Sequence, residues 1–299
     1  MTSPTKTIHV PHLSGIDASY RLSANYAPTK PTLILVNSFT TNVDLYRSSF
    51  ANDALTDTVN LLAIELLGHG KTRTKTEHWT YWDTAIMNLQ VMDALGIERA
   101  FVLGTSQGGW ITVRMALLAP EKIAGIIPLG TSMDYESPRT VNLGCWDAKA
   151  LLTGNIEEWT SRTPTPAFEP ADAFCGALLD QGVGKDFPKE DREFWTNAIK
   201  TNYRGDEGRR RIRMATINLR DRDGLHLRLC DVVCPVLWLH GTSDITYSVE
   251  NAREEILMFT GSPSARLQVV EGGQHFLSLS HPKEVDQAVI DFVRQWEKS

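Results

Sequence analysis

The sequence predicts a doubly wound, mostly parallel α/β sheet with an inserted helical lid, because short apolar runs alternate with helical patterns and this alternation is interrupted once. Apolar runs of roughly four to eight residues without polar alternation are typical of strands that are buried on both faces, as in a parallel sheet. Six such runs occur along the chain: Thr32–Val36, Asn60–Leu66, Arg99–Gly104, Ile123–Gly130, Pro235–Gly241 and Arg266–Gly273.

Two segments between or after these runs have the pattern of amphipathic helices. The segment that begins near Thr80 places apolar side chains on one stripe and reaches Gly96, a residue type favoured just after a helix. The last segment of the chain begins near Pro282, and proline is favoured in the first helical turn. We expect both helices to cover the sheet, joined to it by right-handed crossovers.

The strand–helix alternation stops near Asp134 and resumes near Cys230. The intervening segment is rich in tryptophan, proline and charged residues, and a loop longer than about 15 residues is uncommon in a compact domain. We therefore expect a helical lid over residues 134–229, inserted between two parts of a core that comprise residues 1–133 and 230–299. The alternative is a surface subdomain with no role at the functional site.

Composition and charge indicate a globular protein that does not bind nucleic acid. The chain has 299 residues, 42% of them hydrophobic, and a net charge of −6, which is typical of a globular protein and argues against a nucleic-acid partner. The basic run GRRRIR, residues 208–213, is interpreted as a solvated helix face.

No localisation signal or metal motif is recognisable in the sequence. The first residues lack the apolar stretch of a signal peptide, and no segment approaches the roughly 18 apolar residues of a membrane span. The four cysteines and the histidines do not show metal-ligand spacing, so we expect no metal and no cofactor. We interpret the cysteines as reduced thiols and expect a cytoplasmic protein without membrane partners.

The segment FVLGTSQGGW places Ser106 between two glycines, at the junction of a predicted strand and a predicted helix. A serine at such a turn adopts a strained backbone conformation, and Gly104 and Gly108 provide the space that this conformation needs. Gly109 allows the helix to approach the sheet closely. The turn would lift the serine hydroxyl above the carboxyl ends of the strands, where open α/β sheets bind their ligands.

A serine needs a neighbouring base to act as a nucleophile, and the base needs an orienting group. Asp244 follows the strand Pro235–Gly241, and His275 follows the last predicted strand. Asp134 follows another predicted strand and is an alternative acid.

The order Ser106, Asp244, His275, each after a predicted strand, resembles the α/β-hydrolase family. This resemblance implies that Ser106 attacks an acyl carbon and that His275 takes and returns the proton. It also implies that Asp244 fixes the imidazole tautomer.

The same resemblance assigns the oxyanion hole to the backbone amides of Gln107 and Phe39. Where family members commonly carry His-Gly, this chain has Asn37-Ser38, which resembles enol-lactonases and their relatives. Because of this difference, Ser38 stays the alternative to Phe39 as the second donor. His69, in the family's GHG turn, is interpreted as a structural hydrogen-bonding group below the site.

Aromatic residues offer candidate walls for a substrate pocket. We expect Ser38, Trp110 and Trp146 to line this pocket, Trp110 because it directly follows the serine turn. Other aromatic residues of the insertion either line the pocket or form the insertion's own small core: Trp159, Phe168, Phe174 and Trp195.

The expected activity is hydrolysis of a carboxylic ester or lactone of a medium-sized, partly apolar small molecule through an acyl-enzyme. Two alternatives stay open: hydrolysis of a C–C bond in a β-diketone-like substrate, and a ligand receptor that retains the triad but stops after about one turnover. The number of turnovers distinguishes the receptor from the enzyme. The sequence does not predict an oligomeric state.

Overall fold

The computed structural model describes residues 3–297, which contain nine strands in one sheet. The strands are β1 (Lys6–Val10), β2 (Ile16–Leu22), β3 (Thr32–Val36), β4 (Asn60–Ile64), β5 (Arg73–Thr74), β6 (Ala100–Thr105), β7 (Ile123–Leu129), β8 (Val236–Gly241) and β9 (Ala265–Val270). Their order across the sheet is β1-β2-β4-β3-β6-β7-β8-β9, and β5 pairs with β2.

The predicted fold class is confirmed. All six predicted runs form strands, and β4, β3, β6, β7, β8 and β9 are parallel neighbours in the sheet. Five of them are buried along their length, but alternate residues of β9 are exposed because β9 lies at the sheet edge. The antiparallel strands β1 and β2 were not predicted from the sequence, because their side chains are more polar than those of the central strands.

Twelve α-helices are present within residues 3–297. They are α1 (Arg47–Phe50), α2 (Asp53–Thr58), α3 (Tyr81–Ala94), α4 (Gln107–Leu118), α5 (Pro138–Asn142), α6 (Ala148–Glu158), α7 (Asp172–Val183), α8 (Lys189–Asn202), α9 (Gly205–Asp221), α10 (Val249–Glu255), α11 (Leu277–Ser280) and α12 (Pro282–Trp296). Helix α3 begins with a capping box at Thr80 and Asp83. Gly96 lies just beyond its end, as predicted, and has a φ of 69°.

Helices α5 to α9 form the helical insertion between β7 and β8. One small apolar cluster lies within it, around Trp159 and Tyr203. A second cluster joins α6 and α9 to Phe39, which belongs to the loop after β3. The insertion therefore packs directly on a loop at the carboxyl edge of the sheet.

The basic run is not simply a solvated face. Arg209 is buried and donates to Thr165 Oγ1 and to the carbonyl of Trp159. It therefore connects α9 to the loop between α6 and α7. Arg210 is paired with nearby carboxylates on the protein surface. This correction follows from helix geometry, since consecutive residues point in different directions around the helix axis.

Among residues 3–297, no helix combines the length and apolar character needed to cross a membrane. The same residues contain no group of three or more acidic, histidine or cysteine side chains placed to hold a metal ion. All four cysteines are free thiols.

Helix α4 approaches the sheet so closely that side chains are excluded at three glycines. A Cβ at Gly104 would lie 2.1 Å from the carbonyl oxygen of Gly108, and one at Gly108 would lie 2.4 Å from that of Val36. A Cβ at Gly109 would lie 2.6 Å from Thr131 Cγ2. These contacts bring the turn between β6 and α4 against the end of β3.

We expect Gly104→Ala to lower the free energy of unfolding by about 3 kcal/mol, because the new methyl group overlaps backbone atoms that cannot move independently. Gly154→Ala is the matched control: it lies in the exposed part of α6, and its Cβ would meet no atom within 4 Å. That change should raise stability by about 0.5–1 kcal/mol. Urea unfolding measures both, and equal effects of the two changes would contradict the close-packing account.

Candidate active site

Ser106 lies on the turn between β6 and α4 with φ 54° and ψ −118°, a conformation that residues with a side chain rarely adopt. Two hydrogen bonds hold this turn. The Ser106 amide donates to the carbonyl of Leu129 at 2.8 Å, and Thr131 Oγ1 donates to the carbonyl of Ser106 at 2.8 Å. The strained turn is thus fixed by the neighbouring strand β7 and the residues that follow it.

The structure brings Ser106, His275 and Asp244 together in one hydrogen-bonded series. His275 Nε2 lies 2.9 Å from Ser106 Oγ, and His275 Nδ1 lies 2.9 Å from Asp244 Oδ2. All three residues come from loops at the carboxyl ends of parallel strands, β6, β9 and β8. The arrangement has the geometry in which an imidazole can remove the serine proton while a carboxylate holds its other nitrogen.

The environment of Asp244 favours its ionised form. Burial by itself would raise the pKa of Asp244, but the neighbouring His275 opposes it through charge and hydrogen bonding, and the net pKa is lowered. Asp244 Oδ1 also accepts the amides of Thr246 and Tyr247, at 2.8 and 3.0 Å. A carboxylate with these partners is fixed in position and suited to orient the imidazole.

Asp134, the alternative acid, is directed elsewhere. Its carboxylate accepts the amide of Tyr135 at 2.8 Å and the hydroxyl of Ser137, within the loop that follows β7. The carboxylate that contacts the His275 imidazole is thus that of Asp244. The structure does not support Asp134, after β7, as the acid.

The structure bears on which two backbone amides form the predicted oxyanion hole. Gln107 is the first residue of α4, so its N–H has no acceptor within the helix. Ser38 is unsuited to be the second donor, because its N–H already donates to Thr41 Oγ1 at 3.0 Å. Among residues 3–297 no acceptor is found for the amide of Phe39. Phe39 and Gln107 therefore stay the predicted pair.

The side chain of Gln107 is held from below by two buried residues. Its Oε1 accepts the hydroxyl of Tyr81 at 3.0 Å, and its Nε2 lies 3.1 Å from His69 Nε2. His69 Nδ1 is 2.9 Å from the carbonyl of Leu67, so the neutral imidazole donates there and accepts from Gln107. Burial lowers the pKa of His69 to about 4. The interpretation of His69 as a structural hydrogen-bonding group is confirmed.

A narrow cavity of about 30 Å³ lies beside Ser106 and His275. Apart from His275, its lining contains no residue with an ionisable side chain. Ser38 and Trp146 are part of the lining, as the sequence predicted, and Trp195 joins them from the insertion. Ser38 Oγ is buried and has no hydrogen-bond partner within the described part of the chain. The volume holds about one or two water molecules.

Trp110 does not line this cavity, so its assignment to the pocket is wrong. Its indole is fully buried, donates to the carbonyl of Asp134 at 3.3 Å and packs against the ring of Tyr247 at 5.4 Å. The guanidinium of Arg222 lies 3.8 Å from the centre of its ring. Its position in the first turn of α4 directs the side chain away from the cavity.

The remaining aromatic residues of the insertion divide between the two expected roles. Trp159 packs edge-to-face against Phe174 at 4.9 Å and Phe168 at 6.4 Å, so these three form the insertion's own core. Trp195 lies on the cavity side.

A buried ion pair between Glu136 and Arg222 was missed in the sequence. Glu136 Oε1 also accepts the hydroxyl of Tyr247 at 3.1 Å and the indole N–H of Trp146 at 3.3 Å. The Tyr247 ring in turn lies 5.6 Å from the ring of His275. This network supports the cavity wall at Trp146. No spacing signal joins its members, which come from both ends of the insertion and from the loop after β8.

Comparison with known proteins agrees with the fold. A family model described as the alpha/beta hydrolase fold matches residues 31–148. Two curated relatives are the acetyltransferase components of acetoin cleaving systems from Cupriavidus necator and Pseudomonas putida. The first is 30% identical over 32% of this chain, and the second is 23% identical over 88% of it. The matches span only 25% and 63% of the lengths of those two proteins.

A third relative is a pimeloyl-[acyl-carrier protein] methyl ester esterase from Aromatoleum aromaticum, which is 26% identical over 77% of this chain and 85% of its own length. Among solved structures, a thermophilic esterase from Thermogutta terrifontis superposes with a TM-score of 0.79 at 17% identity, covering 97% of this chain and 98% of that one. The enol-lactonase from Burkholderia xenovorans LB400 gives a TM-score of 0.76 at 18% identity, covering 96% and 100%.

The sheet order, the serine turn and these likenesses together define an α/β-hydrolase fold. A family model for this fold matches residues 31–148, and over that part of its length the chain is similar to α/β hydrolases.

The low pKa of His69 predicts a specific pH dependence of stability. Between the ordinary histidine pKa of 6.5 and the folded value of about 4, the unfolded chain binds a proton that the folded protein does not. Stability from this residue is therefore lost as the pH falls through that window. Between pH 7.5 and pH 5 the loss is about 2 kcal/mol.

Urea unfolding at both pH values tests this prediction. His69→Gln should lose about 2 kcal/mol less than the wild type over this interval, whereas His78→Gln, at an exposed histidine, should behave as the wild type. An unchanged pH dependence in His69→Gln would show that His69 is not held neutral by burial.

Proposed function

We propose that this protein hydrolyses a carboxylic ester or lactone of a small molecule through an acyl-enzyme on Ser106. The observation that carries the proposal is the series Ser106 Oγ–His275 Nε2 and His275 Nδ1–Asp244 Oδ2, with 2.9 Å at each step. Ser106 and His275 are buried residues and the side chain of Asp244 is fully buried, so the hydrogen bonds act in a medium of low dielectric constant, where they are stronger than in water.

In the first step, Ser106 Oγ bonds to the acyl carbon while its proton passes to His275 Nε2. The carbonyl oxygen becomes an oxyanion that accepts the backbone amides of Gln107 and Phe39. The intermediate collapses with cleavage of the ester C–O bond, and His275 gives the proton to the leaving oxygen. A water molecule then attacks the acyl carbon, with His275 again as the base, and releases the acid and free Ser106.

The cavity supports an uncharged, partly apolar acyl or alcohol group, because apart from His275 its walls carry apolar groups, hydroxyls and the uncharged amide of Gln181. A medium-sized substrate exceeds a volume of about 30 Å³, so its binding requires the cavity to widen. We propose a small-molecule ester or lactone as the binding partner. The proposed reaction uses no cofactor. We propose a cytoplasmic location for the protein. The likeness to an esterase, an enol-lactonase and a methyl ester esterase supports this choice of reaction.

The time course of p-nitrophenyl acetate and butyrate hydrolysis tests the proposal. The wild type should release many equivalents of p-nitrophenol, and Ser106→Ala should reduce kcat by roughly 10⁴–10⁶-fold because the nucleophile is lost. Ser48→Ala is the control, since Ser48 is a half-buried serine outside the cavity lining, and it should retain wild-type turnover.

Circular dichroism and thermal unfolding check that Ser106→Ala stays folded. A reduction of less than tenfold in a folded Ser106→Ala would remove Ser106 from the mechanism. Release that stops near one equivalent would favour a triad-bearing receptor. Absence of ester turnover together with cleavage of a β-diketone would favour C–C bond hydrolysis.

A further inference from the structure

A second, larger cavity lies apart from Ser106, in a cleft between α9 and the segment that follows β4. Its volume is about 340 Å³, within the range of small-molecule sites. One wall is formed by residues 72–77, which include β5, and the other by Glu207, Arg210 and Arg211 of α9. We call this cavity the β5–α9 cleft.

The β5–α9 cleft carries more positive than negative groups. Its lining includes the cations Arg73, Lys75, Arg210 and Arg211 and the carboxylates Glu77 and Glu207. Both carboxylates are engaged by Arg210, which lies 3.5 Å from Glu77 and in close contact with Glu207. The other three cations have no carboxylate within 4 Å in the part of the chain that the structure describes.

Arg73 and Arg211 lie next to each other although both are positively charged. Arg73 donates to Asn202 Oδ1 at 3.1 Å, and Arg211 donates to the carbonyl of the same residue at 2.5 Å. Burial and the neighbouring charge of Arg73 lower the pKa of Arg211. Arg211 Nε is buried and makes no hydrogen bond within residues 3–297.

The buried carboxylate of Glu65 does not satisfy this pair. It acts on Arg73 electrostatically, but its two oxygens accept the amides of Val43 and Lys71, at 3.3 and 2.6 Å. Two neighbouring guanidinium groups without a paired carboxylate therefore both line the open cleft, one from each wall. This arrangement costs free energy, which an anionic ligand would offset.

We propose that the β5–α9 cleft is a binding site for a small anion that carries a phosphate or carboxylate group. Arg73 and Arg211 are its principal ligands, because guanidinium groups bind such oxyanions through paired N–H donors. Lys75 contributes a further positive charge on the opposite wall from Arg211. The site is separate from the Ser106 cavity and does not depend on the proposed hydrolase activity.

Isothermal titration of the full chain with inorganic phosphate, and separately with succinate, tests this site at an ionic strength held constant with NaCl. The wild type should bind one equivalent of at least one of these probes. Arg211→Gln should bind at least tenfold more weakly, because the guanidinium charge and its paired N–H donors are removed. Lys75→Gln should weaken binding about threefold through the lost charge alone.

Arg213→Gln is the matched control, since it removes the same charge from the same helix but lies outside the cleft and bonds to Thr160 Oγ1. It should bind as the wild type does. Binding of phosphate alone would identify a phosphate-bearing ligand, and binding of succinate alone a carboxylate.

Binding of neither probe, or equal weakening in Arg211→Gln and Arg213→Gln, would overturn the proposal. If Arg211→Gln does not fold, as judged by circular dichroism, Lys75→Gln decides: wild-type affinity in that exposed variant would overturn the proposal too.

Discussion

The close approach of α4 to the sheet is the constraint on which the site depends. The helix can begin directly after β6 only because glycines stand where Cβ atoms would meet backbone or Thr131. The same approach forces a positive φ at Ser106 and brings its hydroxyl to the carboxyl ends of the neighbouring strands. His275 lies in the loop after β9 and Asp244 in the loop after β8, so both are at the same edge of the sheet as the Ser106 hydroxyl.

The parts of the fold that depend on local pattern were predictable from the sequence. Central strands are recognised because both of their faces are buried, and the serine turn because small residues are required on either side of it. The order of Ser106, Asp244 and His275 followed from the same strands. The hairpin of β1 and β2 was missed, since its polar side chains resemble those of a loop.

Features that depend on side-chain direction or on long-range pairing were not predictable. Trp110 adjoins the serine turn in sequence, yet its indole faces Arg222 and not the cavity. Arg222 pairs with Glu136 across the whole insertion, and neither residue has a local signal for this contact. The choice of Phe39 over Ser38 likewise depends on one hydrogen bond from Ser38 to Thr41, which no motif encodes.

If Ser106 is the nucleophile, it carries a covalent acyl group during turnover. Acid quenching of the reaction with p-nitrophenyl butyrate, followed by peptide mass spectrometry, detects that group. We expect a butyryl group on the peptide that contains Ser106, at the serine itself, and no such adduct in Ser106→Ala. Turnover without an adduct on Ser106 at any quench time, or an adduct on another residue that persists in Ser106→Ala, would contradict this expectation.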